Sequence, residues 1–116
     1  MNYRIFHNSR CRKSRAGLEY LQKSTQNIEV FEYLKEGLKE SDIEMILDYS
    51  NLEIDQVIRT QEEAFKKLMK GKNLTKDQKI QLIVANPKLL QRPIVVNQDT
   101  KKAVLGQPES EISKIL

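Results

Sequence analysis

The chain has 116 residues, no tryptophan and few aromatics, so it can build one aliphatic core of modest size and not two independent ones. Lys and Arg number 20 against 16 Asp and Glu, a net charge of +4 that suits an anionic small substrate, nucleic acid or plain solubility. The single cysteine excludes an intrachain disulfide, while the polar opening MNYRIFHNSR and a longest strongly apolar run of only Ile94-Val95-Val96 predict a soluble cytoplasmic protein without signal peptide or membrane span.

Tyr3 to Phe6 has the alternating, β-rich character of a short strand. A helix should follow, with Ala16, Leu18 and Leu21 on its inner side and an end near Thr25 to Asn27. Ile28 to Tyr33 reads as a second strand, and strand, helix, strand within some thirty residues is a βαβ unit with a right-handed parallel crossover.

The middle of the chain changes period. Ser41-Asp42-Ile43-Glu44, Thr60-Gln61-Glu62-Glu63 and Thr75-Lys76-Asp77-Gln78 each fit the S/T-x-x-E/Q capping box ahead of apolar residues at helical spacing. The inward faces should be Ile43, Ile46 and Leu47, then Ala64, Phe65 and Leu68, then Ile80, Ile83 and Val84. Gly71 and Asn86-Pro87 are the expected stops.

After Pro93 strands return, Ile94 to Val96 and Ala103 to Leu105, joined as a hairpin by the polar stretch Asn97 to Lys101. Gly106-Gln107-Pro108-Glu109 then opens a terminal helix carrying Ile112, Ile115 and Leu116. The order β-α-β, helical insertion, β-β-α predicts an α/β protein with a thioredoxin-like fold and a mixed four-stranded sheet. One domain should span 1–116, with a core of 1–35 and 87–116 and a helical insertion over about 36–86.

The chemistry points to HNSRCRKSR, residues 7–15, where Cys11 ends the first strand-to-helix turn among Arg10, Arg12, Lys13 and Arg15. A thiol with the reference pKa of about 8.5 is mostly protonated at neutral pH and a poor nucleophile. A helix N-terminus offers unpaired N–H groups and a positive dipole end, the four cations add to that potential, and the Ser14 hydroxyl can donate to the sulfur. A lone cysteine is commonly a small buried hydrophobe, but polar and basic neighbours suit burial poorly, so Cys11 is the candidate nucleophile. His7 fits a strand-end packing role as well as it fits tuning the thiol. The other mixed charges read as solvated helix faces, and the basic cluster lacks the interleaved aromatics of a nucleic-acid site. No ligand cluster implies a metal and no Gly-rich loop implies a nucleotide.

Four stretches carry a resemblance along the whole chain: Tyr3-x-Ile5-Phe6-His7-Asn8-x-x-Cys11-x-x-Ser14-Arg15, Ile58-Arg59-Thr60, Asn86 through Val96, and Leu105-Gly106-Gln107-Pro108. In these the sequence resembles the glutaredoxin-linked arsenate reductase family, a thioredoxin-fold group that includes the Spx-type regulators. The resemblance implies that Cys11 attacks an oxyanion held by arginines at the three later stretches. Arg59 and Arg92 match two of them, and Gln107 stands at the third, where a neutral amide can donate a hydrogen bond but cannot supply charge or a guanidinium fork. It further implies that Pro93 is cis and sets the Arg92 backbone beside the thiolate. Arsenate is the implied substrate, with no bound cofactor, glutathione as co-substrate and glutaredoxin as partner. The alternatives are a glutathione-linked thiol reductase without arsenate activity and an Spx-like protein that binds RNA polymerase. Ser14 in place of a second cysteine excludes the internal Cys-x-x-Cys switch common in such regulators.

Overall fold

The computed structural model describes residues 2–116. Four strands, β1 (Tyr3–Phe6), β2 (Ile28–Phe31), β3 (Ile94–Asn97) and β4 (Lys102–Leu105), form one mixed sheet in the order β2-β1-β3-β4. β1 runs parallel to β2 and antiparallel to β3, and β3 is antiparallel to β4. This is the thioredoxin-like arrangement expected from the order of elements.

The sheet is covered on both faces, as the side-chain alternation of its two central strands requires. Tyr3, Ile5 and Val95 face one way and pack with Leu21, Ile112 and Ile115. Phe6, Ile94 and Val96 face the other way, into a larger cluster with Tyr33, Ile43, Ile46, Ile83 and Leu89. Every residue of β3 is therefore buried. Each wholly buried Ile, Val or Phe of these clusters contributes about 1.5–3 kcal/mol relative to exposure.

Helix α1 (Arg12–Gln22) packs on the first face. Its buried residues are Ser14, Gly17 and Leu21, so the inner face is centred one position away from the expected Ala16, Leu18 and Leu21. Hydrophobicity misjudged this face because its centre is a glycine. A Cβ on Gly17 would lie 2.5 Å from Cγ of Pro93, and only the missing side chain lets the helix approach that ring.

β2 is shorter than expected. It ends at Phe31, and Tyr33 opens a four-residue helix, α2 (Tyr33–Glu36), which stops at Gly37 with φ +89°. Helix α3 (Glu40–Ser50) begins before the predicted Ser41 cap: Lys39 is the N-cap, and the Asp42 carboxylate accepts from its N–H at 2.9 Å. Ile43, Ile46 and Leu47 are buried as expected.

A 3-10 turn at Ile54–Val57, not anticipated, leads to α4 (Glu63–Leu68). There Glu62 is the N-cap and Thr60 lies outside the helix. Ala64, Phe65 and Leu68 pack on the core but stay partly exposed. Only the third capping box forms as written, at α5 (Lys76–Ala85): Thr75 and Gln78 exchange bonds of 2.9 and 3.1 Å. Ile80 and Ile83 are buried, with Val84 half-buried.

Gly71 has φ +74°, and Asn86-Pro87 ends α5 and opens a 3-10 turn over Pro87–Leu89. Asn97 belongs to β3 and not to the hairpin loop, because its buried side chain accepts from the Asp99 and Thr100 N–H groups and donates to the Ile115 carbonyl at 2.8 Å. The terminal helix is 3-10, Glu109–Ile115, burying Ile112 and Ile115, while Leu116 is exposed. Among the described residues no helix is long and apolar enough to cross a membrane.

Candidate active site

β1 delivers the chain to His7, and the next four residues turn on their own hydrogen bonds. The Asn8 Oδ1 accepts from the Arg10 N–H at 3.1 Å, and the Asn8 carbonyl accepts from the Cys11 N–H at 3.0 Å. Cys11 is the N-cap of α1, with extended φ −98° and ψ 124°, and its carbonyl accepts the first helical bond, from Arg15.

Its sulfur thus occupies the place where a capping oxygen would accept from the second and third helical N–H groups. It makes no fully formed capping hydrogen bond, so it keeps lone pairs for an incoming electrophile. Burial pushes the Cys11 thiol up, but the Ser14 N–H, the Arg92 guanidinium and the Lys13 N–H outweigh it and hold the pKa below its ordinary value.

Ser14 therefore acts on the sulfur through its backbone, not through its hydroxyl as expected. Its buried Oγ lies 2.8 Å from His7 Nδ1 and accepts from the Asn8 N–H at 2.9 Å. Burial lowers the His7 pKa, with Glu32 pulling the other way and Arg15 adding to the fall. His7 is a neutral strut of the turn, and Arg15 a second one, since its guanidinium donates to the Ser9 carbonyl at 2.9 Å.

The cationic half comes from remote segments. An antiparallel bridge between Ile58 and Leu90, flanked by bonds from Arg59 N–H to the Leu89 carbonyl (2.7 Å) and from Gln91 N–H to the Val57 carbonyl (2.8 Å), ties the two arginine-bearing stretches together. The β1–β3 register pairs Phe6 with Ile94 and so sets Arg92 and Pro93 beside the His7 turn. The Arg92–Pro93 peptide is cis. Arg92 is 9% exposed and donates to the Lys88 carbonyl. Arg59 faces the Glu62 carboxylate at 3.5 Å. Nε of Arg92 is buried with no hydrogen-bond partner, so its guanidinium keeps an unspent donor, whereas the buried Nε of Arg59 has the Glu62 contact alone.

The β3–β4 register pairs Ile94 with Leu105, and the Gly106 N–H donates to the Pro93 carbonyl at 2.8 Å. Extending that ladder one step brings Gln107 opposite Arg92. Its side-chain amide donates to the Arg92 carbonyl, so one of its two N–H donors is committed to the backbone and not aimed at an anion. The Gln107–Pro108 peptide is also cis, which nothing in the sequence reading anticipated.

Sequence reasoning missed Tyr33, which it left at the end of a strand. The side chain is wholly buried, its hydroxyl donates to the Leu90 carbonyl at 3.4 Å, and Arg92, Arg59 and Cys11 all act on it electrostatically. The available signal was chemical: a buried tyrosine needs a partner for its hydroxyl. Among the described residues no group of three or more His, Cys, Asp and Glu is placed to hold a metal ion.

A cysteine of lowered pKa at a helix start, with the Arg92 guanidinium acting on its sulfur and a cis Arg92–Pro93 peptide, is carried by a thioredoxin-like fold. Residues 6–115 match the model of the ArsC family, and the chain belongs to that family. It is 34% identical over 115 residues to an arsenate reductase of Neisseria meningitidis, covering 97% of each chain. It is also 35% identical over 107 residues to the global transcriptional regulator Spx of Listeria innocua, covering 91% of this chain and 78% of that one. The structure of an arsenate reductase from Vibrio cholerae superposes with a TM-score of 0.92 at 31% identity, covering 100% of this chain and 98% of that one.

Proposed function

We propose that the protein is a cytoplasmic thiol oxidoreductase of the arsenate reductase type, with Cys11 as nucleophile and Arg59 and Arg92 as the anion-holding cations. The observation that carries this reading is the buried Arg92 Nε, which has no hydrogen-bond partner, on the guanidinium that acts on a thiol whose pKa is lowered. Buried guanidinium donors without partners are costly and are satisfied by an oxyanion.

In the reaction the Cys11 thiolate attacks the arsenic of arsenate, an S–As bond forms, and one arsenate oxygen departs as water after protonation. Glutathione thiolate then attacks the Cys11 sulfur. The S–As bond breaks with its electron pair on arsenic, As(V) becomes As(III), and arsenite leaves. A glutaredoxin thiol attacks the glutathione sulfur of the resulting mixed disulfide and returns the Cys11 thiolate. An external donor suits a chain with no second cysteine.

One observation favours a narrower second reading, a glutathione-linked thiol reductase without arsenate turnover. Gln107 spends an amide donor on the Arg92 carbonyl, leaving two cations where the resemblance implies three. Single-turnover reaction of wild type, Cys11→Ser and Gln107→Arg with arsenate and glutathione decides between them. The proposal expects arsenite from wild type, more from Gln107→Arg, and none from Cys11→Ser. No arsenite from wild type, with a Cys11–glutathione adduct still forming, selects the narrower reading. Co-purification with RNA polymerase, unchanged in Cys11→Ser, would replace both with the regulator.

A further inference from the structure

Tyr33 stands where the two halves of the site meet, and no step of the thiol chemistry uses it. It is the first residue of α2, fully buried, and its hydroxyl reaches across 57 positions to the Leu90 carbonyl. Leu90 is the residue that bridges to Ile58, so the hydroxyl grips the backbone junction from which Arg59 departs on one strand and Arg92 on the other. The Arg92 guanidinium favours deprotonation of both the phenol and the Cys11 thiol, and Arg59 favours that of the phenol.

We infer that Tyr33 is a positioning residue: its hydroxyl holds the Leu90 carbonyl and the Arg92 guanidinium together, and so fixes the cation that keeps Cys11 nucleophilic. Burial raises the phenol pKa against the pull of Arg92 and Arg59, so the group stays protonated and neutral. A neutral hydroxyl can donate to the carbonyl and accept from the guanidinium at once, and it does not cancel the charge that an anion needs. A phenylalanine would fill the same space and do neither. The other groups facing the sulfur, the Lys13 and Ser14 N–H, belong to α1 and do not depend on Tyr33.

The inference rests on the proposed role of Arg92 but not on arsenate turnover, so its test uses a neutral alkylating agent. The rate of Cys11 reaction with iodoacetamide is followed against pH in wild type, Tyr33→Phe, Arg92→Ala and the double variant, each checked by thermal melting. Tyr33→Phe is expected to move the midpoint upward and slow alkylation at neutral pH about threefold to tenfold, the rate equivalent of one net hydrogen bond. In the Arg92→Ala background the same substitution should add nothing, because it acts through Arg92. An unchanged or lowered midpoint in folded Tyr33→Phe, or an equal shift in both backgrounds, overturns the inference. A readout that leaves Tyr33 intact is its ring-carbon NMR resonance, which should move in Arg92→Ala; a stationary resonance also overturns it. Loss of arsenate turnover with these alkylation results intact would count against the substrate alone.

Discussion

The two halves of the site are built differently. The 7–15 turn is held by its own residues: Asn8 closes it, Ser14 joins His7 to the Asn8 N–H, and Arg15 reaches back to Ser9. The cationic half has no such autonomy. Arg59, Arg92 and Gln107 come from three separated stretches, brought together by the Ile58–Leu90 bridge and by the registers of β3 with β1 and β4. A self-contained turn makes the thiol available, and long-range pairing decides what charge faces it. Changes in one half should therefore alter the fold around the thiol, and changes in the other its chemistry.

The largest effect belongs to the remote half. Arg92→Ala should lower single-turnover reduction by roughly 10²–10³-fold, the loss typical of a donor aimed at developing oxyanion charge. Arg59→Ala, which does not act on the sulfur directly, should lower turnover while leaving the pH dependence of Cys11 alkylation in place. A shifted alkylation profile in Arg59→Ala would erase the distinction between the two cations.

Gly17→Ala probes the contact between the halves. The new methyl would press on the Pro93 ring at 2.5 Å. Overpacking costs about 1–3 kcal/mol, set against about 1 kcal/mol of gained helix propensity, so the melting temperature should fall. An unchanged or higher one would mean that Pro93 yields freely.

Ser14→Ala tests the turn itself. It strips the Asn8 N–H of its acceptor and His7 of its partner, a loss of about 1–3 kcal/mol for groups left unsatisfied. The Cys11 alkylation midpoint should hardly move, because the serine acts on the sulfur through its N–H. A large upward shift would return the hydroxyl to the thiol.

The smallest effect is a pH dependence of stability from His7. Its pKa is lower in the folded protein than the ordinary 6.5. Below that value the unfolded chain binds the proton more readily, so this contribution is full above about pH 6.5 and is lost as the pH falls. Denaturant titrations from pH 7.5 to 5 should show the decline, and His7→Gln should flatten it.

Much of this was legible because it is local or periodic. The four strands, the Thr75 capping box, the inward faces of α3 and α5 and the cysteine at a helix start follow from patterns within a few residues. That residues 92 and 107 meet follows from the β3–β4 register, which pairs 94 with 105 and was not read from the hairpin pattern. What the Gln107 amide would do on arrival was not legible, because its acceptor is a backbone carbonyl fifteen residues away. Gly17 was passed over because a residue with no side chain leaves no hydrophobic signal, although it is the centre of its helix face. Tyr33 escaped because its β-rich neighbours hid the end of β2, and its partner lies in a segment far along the chain.

The central claim is that Arg92, delivered from the remote half, keeps the Cys11 thiol nucleophilic. The rate of iodoacetamide alkylation of Cys11 against pH, in wild type and folded Arg92→Ala, tests it most directly. The account predicts a wild-type midpoint below that of an ordinary cysteine and a higher midpoint in the variant. Coincident profiles, or a wild-type midpoint at the ordinary thiol value, would contradict it.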